Sequence, residues 1–453
     1  MLLTVIPALA LLAAPVTAPA PRAIPVEYHK LDNGLRVVLS PDATAPTAVV
    51  AVYYNIGFRI EPRDRTGFAH LFEHMMFQGS ANLGKMEFIR LIQANGGILN
   101  GSTRFDFTNY FEIVPSHALE TALWAEADRM KGLAITQENL TNQQGVVKNE
   151  VKVNVLNQPY QGFPWIDMPM AANQNWYNAH NFYGDLEDLD AATLQDVQAF
   201  FRQYYAAGNA VLVVTGDIDP AATLALVKKH FGPLPKVAPA QLPDVSEPRQ
   251  EQEKRLVKSY PQAPRPALAV GWHVPPRNTP EYYAMALVDQ ILLQGQVSRL
   301  HQALVQKGGF TGEVEGGINW PLGHMFNVNG PTLFMASLFH DADQQPDAIL
   351  KALDAEVEAL RTKPVEPAEL DRALVKLRSQ LYSGMEGLFG FGRADLLASF
   401  ALFDDDPARI NQLEGEFRKV TPELIQRTAQ EWLRPGNRTV LVVPPAAPAE
   451  AGK

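Results

Sequence analysis

Two stretches of the chain share one pattern: TLQDVQAFFRQYYAAGN followed by AVLVVTG at residues 193–216, and TPELIQRTAQEWLRPGN followed by RTVLVVP at residues 421–444. Each predicts an amphipathic helix with an aromatic residue near its end (Tyr204, Trp432), a Gly-Asn break and a buried β-strand. The same offset separates both ends of the two stretches, and each stretch closes one half of the chain. This placement predicts a duplicated domain.

A proline-rich polar stretch lies between the two halves. Proline lacks the backbone donor and fixes φ, so this stretch can sustain neither a helix nor a central strand. Its prolines are Pro233, Pro235, Pro239, Pro243 and Pro248. We therefore predict an N-terminal domain at residues 26–235, a linker at 236–253 and a C-terminal domain at 254–444.

The start of the first half indicates the fold class. Leu31 to Leu39 predicts a strand around a tight Asn33-Gly34 turn, and Ala48 to Asn55 predicts a second strand. Helical patterns then alternate with strands. We predict an α+β fold of two homologous domains, each a mixed β-sheet flanked by helices.

The composition limits the classes of function that the protein can have. The chain has 453 residues, 46% hydrophobic and 19% charged, which is enough apolar material for two packed domains and excludes disorder as the main state. Its formal net charge of −10 argues against a nucleic-acid partner. Because there are no cysteines, a metal ion must be held by histidine and carboxylate side chains.

The chain ends predict processing signals. Leu2 to Ala14 is almost entirely apolar but shorter than the ~20 residues of a membrane-spanning helix, which suits a secretory signal peptide at residues 1–20. No Lys or Arg precedes Arg22, so an uncleaved anchor or a misassigned start codon are the alternatives. Residues 445–453 are rich in Pro and Ala and predict a disordered tail.

The segment from Arg65 to Phe77 (RTGFAHLFEHMMF) leads from a glycine-containing turn into a run that predicts a helix. On a helix, His70 and His74 project from one face with Cβ atoms about 5–6 Å apart and can reach one metal ion, with Glu73 beside them. This arrangement suits hydrolysis, because Zn²⁺ lowers the pKa of bound water to about 7 and a neighbouring carboxylate can take the proton. The alternative is that these side chains lie on a helix without binding a metal ion.

A catalytic zinc ion usually has three protein ligands, so a third must come from elsewhere. Glu150 is the acidic residue between Glu138 and Asp167. On a helix it would lie with Val146, Val147 and Val151 on an apolar stripe, where an unpaired carboxylate is costly and metal binding would offset the cost. A capped or salt-bridged core glutamate explains the pattern equally well.

These residues together resemble the inverted zinc motif of the pitrilysin/insulinase family of metallopeptidases, including short bacterial members and the mitochondrial processing peptidase β subunit. The motif is His70-x-x-Glu73-His74, with Glu150 seventy-six residues after the second histidine. Further similar stretches are residues 31–35, 65–70, 146–150, 209–216 and 290–300, so that the resemblance covers about residues 26 to 444. It implies that His70, His74 and Glu150 bind one Zn²⁺ per chain and that Glu73 is the general base.

The resemblance also implies how a substrate is held. The segment from Asn95 to Tyr110 is similar to the family's edge strand, on which an extended peptide adds as a further β-strand, with Asn100 and Arg299 as substrate-binding residues. Chains of this length form half of a clamshell, so a homodimer or a heterodimer with a related chain is expected. With the signal segment, this implies a periplasmic or secreted zinc endopeptidase acting on unfolded or extended peptides, without a stable membrane span beyond that segment.

Two departures from the family pattern are visible. No Tyr follows Arg299 in residues 307–312, and Gln143 stands where many members have an acidic residue. The alternatives to the endopeptidase are a catalytically silent scaffold or binding subunit of a larger assembly and an unrelated zinc hydrolase of esters or small amides. The residues Trp124, Glu126, Asp128 and Arg129 follow the edge strand on a predicted helix. They could support the site, but we predict that they belong to a packed helix with a solvated charged face.

Overall fold

The computed structural model describes residues 23–445, and the predicted signal peptide and residues 446–453 lie outside that range. A six-stranded sheet forms the core of the first half, in the order β1-β2-β6-β3-β5-β4. Its strands are β1 (Glu27–Lys30), β2 (Arg36–Pro41), β3 (Thr47–Tyr54), β4 (Ile98–Thr103), β5 (Thr108–Pro115) and β6 (Ala210–Gly216). The chain between β1 and β2 turns at Gly34, whose φ of 94° fits the predicted Asn-Gly turn.

A five-stranded sheet in the order β7-β11-β8-β10-β9 forms the core of the second half. Its strands are β7 (Lys254–Val257), β8 (Ala267–His273), β9 (Glu315–Ile318), β10 (Leu333–Phe339) and β11 (Arg438–Val443). Apart from β1, corresponding strands lie side by side in the same order in the two sheets, β2-β6-β3-β5-β4 in the first and β7-β11-β8-β10-β9 in the second. In each, the first and last strands, β2 with β6 and β7 with β11, pair in parallel, and the other neighbours are antiparallel. The predicted α+β class with two related mixed sheets is confirmed.

Equivalent side chains stabilise the repeated helix and strand in both halves. The helices at Leu194–Tyr204 and Pro422–Trp432 each begin after a threonine whose hydroxyl accepts a backbone N–H at 3.2 Å. Asn209 donates to the carbonyl of Tyr204 at 2.9 Å, and Asn437 donates to that of Trp432 at 2.7 Å. The same amide therefore joins helix to strand in each copy.

The helices of the first half are α1 (Phe68–Met75), α2 (Glu87–Ala94), α3 (Leu119–Lys131), α4 (Gln137–Val151), α5 (Asp167–Ala172), α6 (Trp176–Ala179), α7 (Leu186–Ala191), α8 (Leu194–Tyr204) and α9 (Pro220–Phe231). Those of the second are α10 (Pro280–Leu292), α11 (Pro346–Thr362), α12 (Pro367–Phe403), α13 (Leu413–Arg418) and α14 (Pro422–Trp432). Residues 387–390 interrupt α12 with non-helical backbone angles. No described helix is long and apolar enough to cross a membrane.

Each half covers one face of the other half's sheet. Side chains of the first sheet share a buried cluster with α12, where Phe111 stacks on Phe391 with ring centroids 3.8 Å apart and Tyr53 donates to Asp395 at 2.6 Å. On the second sheet, Met168 of α5 packs among strand residues. Residues 236–253 between the halves contain no helix or strand. We propose the same division into domains as the sequence predicts.

The charged residues Glu126, Asp128 and Arg129 of α3 do not form the solvated face that the sequence predicts. Glu126, Asp128 and Arg129 are all buried, because α3 lies between the first sheet and α9. Arg129 donates to Glu126 and, at 3.3 Å, to Glu112 of β5. The expectation was wrong because long-range pairing allows these charges to lie inside.

Candidate metal centre

Helix α1 begins at a tightly constrained turn. Gly67 has a φ of 81°, and a Cβ atom there would lie 2.6 Å from the carbonyl oxygen of Tyr183, so both the backbone conformation and the close approach require glycine. The carboxylate of Glu61 accepts the backbone N–H groups of Gly67 at 2.9 Å and Ala69 at 2.5 Å. Burial raises the pKa of Glu61, whereas the two hydrogen bonds lower it because they stabilise the carboxylate form. Glu61 therefore caps the helix that carries the two histidines.

The structure brings His70, His74 and Glu150 together. The two imidazoles lie one turn apart on α1 with ring centroids separated by 4.9 Å. Glu150, in the last turn of α4, places its carboxylate oxygens 3.5 Å from Nε2 of His70 and 3.0 Å from Nε2 of His74. Of the residues described, these three form the only group of His, Asp or Glu side chains in position to hold a metal ion together.

The donor set fits a zinc ion. Bonds of about 2.1 Å in a tetrahedral site place neighbouring ligand atoms roughly 3.4 Å apart, and the two observed separations are close to that value. Two imidazoles and one carboxylate leave a fourth position free, as in catalytic zinc sites. His70 and His74 also hold the pKa of the Glu150 carboxyl well below its usual range, so this group is an anion ready to bind a cation.

Glu73 stands beside this group without belonging to it. Its carboxylate oxygen Oε2 accepts a hydrogen bond of 2.7 Å from the hydroxyl of Thr103, at the end of β4. The Glu73 side chain is only partly buried, whereas that of Thr103 is buried. The carboxylate can therefore face both the protein and the solvent.

Aromatic side chains enclose His70 and fix α1. The rings of Tyr183 and Phe182 lie 5.0 Å and 5.7 Å from the His70 ring. Tyr110 of β5 donates to the carbonyl of Phe72 at 3.0 Å, between the two histidines. Burial, with the Glu150 carboxylate contributing, raises the pKa of Tyr183 to about 12, so its hydroxyl stays protonated near the ligands.

The surroundings of Glu150 differ in one respect from the predicted apolar stripe. Val147 and Val151 are buried as expected, but Val146 is 42% exposed. The prediction that Val146 lies on the apolar face was wrong, because the face of α4 that packs on α1 does not extend as far as Val146. Glu150 lies at the edge of that face, partly exposed, where it reaches both histidines.

The two predicted substrate-binding residues do not belong to the group of three candidate ligands. Asn100 is exposed on β4, the edge strand of the first sheet. Arg299 lies in the second half, where its guanidinium donates to Glu369 of α12 at 2.7 and 2.9 Å. The contacts of Arg299 thus do not include the three ligands, and its role in substrate binding stays a prediction.

Glu61, Thr103 and Tyr183 were missed by the sequence analysis. Thr103 lay within the predicted edge-strand segment, but alternation alone does not show that its hydroxyl meets Glu73. Glu61 and Tyr183 gave no recognisable signal, because each meets α1 only through the tertiary fold.

Comparison with known proteins shows the family. The model for the insulinase family (peptidase family M16) matches residues 36–173, and that for the M16 peptidase inactive domain matches residues 191–377. Together they span most of the chain, which belongs to the insulinase (M16) family of peptidases. The predicted family membership is confirmed.

Relatives extend this similarity over both halves. The zinc protease PqqE of Helicobacter pylori is 25% identical over 428 residues, which are 92% of this chain and 93% of that protein. A crystal structure of a protease from Helicobacter pylori, 25% identical, has a TM-score of 0.85 and covers 93% of this chain and 100% of that one. The probable mitochondrial-processing peptidase subunit beta of Arabidopsis thaliana is 27% identical over 202 residues, 44% of this chain and 38% of that protein.

Proposed function

We propose that this protein is a zinc-dependent endopeptidase that hydrolyses unfolded or extended peptides. The observation that carries the proposal is the convergence of two imidazoles and one carboxylate in a zinc-like geometry, with a second carboxylate beside them. Similarity to a zinc protease over nearly the whole chain supports the same reading.

His70, His74 and Glu150 would hold one Zn²⁺ per chain. A zinc ion bound in such a site lowers the pKa of water to about 7 and polarises a carbonyl oxygen. Glu73 would act as the general base: its free oxygen Oε1 takes a proton from the attacking water, and the carboxyl group then delivers that proton to the leaving amine. Glu61 and Tyr110 hold the helix in place.

The edge strand β4 supports the choice of substrate. It pairs with β5 on one side only, so its outer edge offers backbone N–H and C=O groups to an extended peptide. In most folded proteins the strands are already paired within a sheet, whereas an unfolded or extended peptide has free backbone groups, which favours unfolded substrates. Asn100, exposed on β4, would contact the bound peptide.

A partner chain would complete the site. Residues 307–312, which follow Arg299, contain no Tyr, and Arg299 itself is paired with Glu369. We propose that a second copy or a related chain closes over the first as the other half of a clamshell. The apolar N-terminal segment supports export to the periplasm or beyond.

The test is zinc-dependent turnover of an unstructured peptide by the wild type and by Glu73→Gln, with Glu187→Gln as an exposed control. We expect one zinc per chain in all three proteins, but turnover only by the wild type and the control. Equal turnover by Glu73→Gln would refute the base assignment, whereas zinc binding without any turnover would favour the silent scaffold. A panel of peptide and ester substrates separates an endopeptidase from an esterase.

A further inference from the structure

We propose that Thr103 is the positioning residue that holds the Glu73 carboxylate toward the attacking water, an inference that rests on the proposed function. Its hydroxyl donates to Oε2 of Glu73 at 2.7 Å. Among the residues that the structure describes, no other side chain donates a hydrogen bond to this carboxylate. The orientation of the base thus depends on a single contact.

The donor is rigid. Thr103 is the last residue of β4, only 1% exposed, and it pairs with Thr108 of β5. The hydroxyl of Thr108 takes no part in the contact with Glu73, because it donates to the carbonyl of Ile56 at 2.8 Å. A threonine hydroxyl has one proton, and here that proton is directed at Oε2, so Oε1 remains free to accept a proton from water.

Without the hydrogen bond from Thr103, the Glu73 carboxylate would be mobile. A glutamate side chain has three rotatable bonds, and Glu73 is partly exposed, so its carboxylate would sample several rotamers. A displacement of about 1 Å at a reacting group can reduce a rate by about a hundredfold. Fixing one oxygen of Glu73 therefore has a direct effect on the chemical step.

Thr103 also joins the base to the proposed peptide-binding edge. The backbone of β4 would set the position of the bound peptide, and the side chain at its end sets the position of Glu73. One strand thereby fixes both the scissile bond and the base. Because the Thr103 hydroxyl points to α1 and not to the outer edge, its loss should change kcat and leave KM unaffected.

The experiment compares Thr103→Val, Thr103→Ser and the control Thr108→Val in the zinc-loaded full chain. Thr108→Val makes the same chemical change at the register partner, which is also buried and has no bond to Glu73. Zinc content, unfolding temperature, kcat and KM on an unstructured peptide are measured for each.

We expect Thr103→Val to lower kcat at least about tenfold with unchanged KM and zinc content. Thr103→Ser should keep kcat within about threefold of the wild type, because the hydroxyl is retained. Thr108→Val should be destabilised to a similar degree as Thr103→Val but keep its kcat. Equal kcat for Thr103→Val and the wild type, or equal losses for the two valine variants, would overturn the proposal.

A second measurement separates this inference from the proposed function. If the wild type hydrolyses no peptide, the endopeptidase proposal fails. Crystal structures of the zinc-loaded wild type, Thr103→Ser and Thr103→Val then show whether Thr103 orients the Glu73 carboxylate. We expect an ordered Glu73 carboxylate in the wild type and in Thr103→Ser, and a displaced or disordered one in Thr103→Val. An unmoved carboxylate in Thr103→Val would refute the positioning role.

Discussion

Replacing Glu61 should weaken both the fold and the metal centre. The carboxylate accepts the N–H groups of Gly67 and Ala69, and α1 has no other side-chain cap at its first turn. Glu61→Ala leaves two buried N–H groups without a partner, each costing roughly 1–3 kcal/mol, so the free energy of unfolding should fall by about 4 kcal/mol. Glu61→Gln keeps one acceptor oxygen and should lose about half of that amount.

The effect should reach zinc binding, because His70 follows Ala69 directly. We expect the zinc affinity of Glu61→Ala, measured by competition with a chelator, to fall by about tenfold, as for other residues that orient metal ligands. Urea unfolding gives the stability order wild type, Glu61→Gln, Glu61→Ala, and the exposed Glu187→Gln serves as a control. A loss below about 1 kcal/mol in Glu61→Ala would refute the capping role.

Three further predictions follow from the same structure. Glu150→Gln should abolish stoichiometric zinc binding and peptide turnover, as measured by metal analysis and kinetics; full zinc occupancy would contradict its role as a ligand. Burial raises the pKa of Asp289 to about 7, above its ordinary value of 3.8, so its contribution to stability should decrease as the pH rises from about 4 to about 7. The free energy of unfolding of Asp289→Asn, measured with urea between pH 5 and pH 8, should therefore decrease less with rising pH than that of the wild type. An equal pH dependence in the two proteins would contradict the raised pKa of Asp289. Phe391→Ala should lower the free energy of unfolding by about 2 kcal/mol, because the ring stacks on Phe111 across the two halves; an unchanged value would show that this contact is not stabilising.

Local patterns made much of the fold predictable. Thr193 and Thr421 each cap a helix, and the strand that follows has a run of buried β-branched residues. These signals act over a few residues and recur at a constant offset, so the duplication was visible in the sequence. The Asn33-Gly34 turn was predictable for the same reason, since glycine there has a φ of 94°.

The candidate metal centre was predictable to different degrees. His70 and His74 lie on one helix, where spacing alone sets their geometry. Glu150 lies on another helix, and the residues alone left its role open; the resemblance to a family supplied the assignment. The position of Glu150 next to both histidines depends on the packing of α4 against α1.

Side chains whose partners are distant in sequence were not predictable. Glu126 and Arg129 have the spacing of a solvated helix face, yet both are buried because Arg129 also pairs with Glu112 on β5. The contact of Thr103 with Glu73 depends likewise on where β4 ends relative to α1. No local pattern encodes such pairings, because each needs the tertiary fold to bring its partners together.

The most direct test of the account is a crystal structure of the zinc-loaded protein with anomalous diffraction recorded at the zinc absorption edge. We predict one peak per chain, within about 2.0–2.2 Å of Nε2 of His70, Nε2 of His74 and a carboxylate oxygen of Glu150. A zinc-loaded crystal with no peak among these three side chains, or with the peak at another place in the chain, would contradict the central claim.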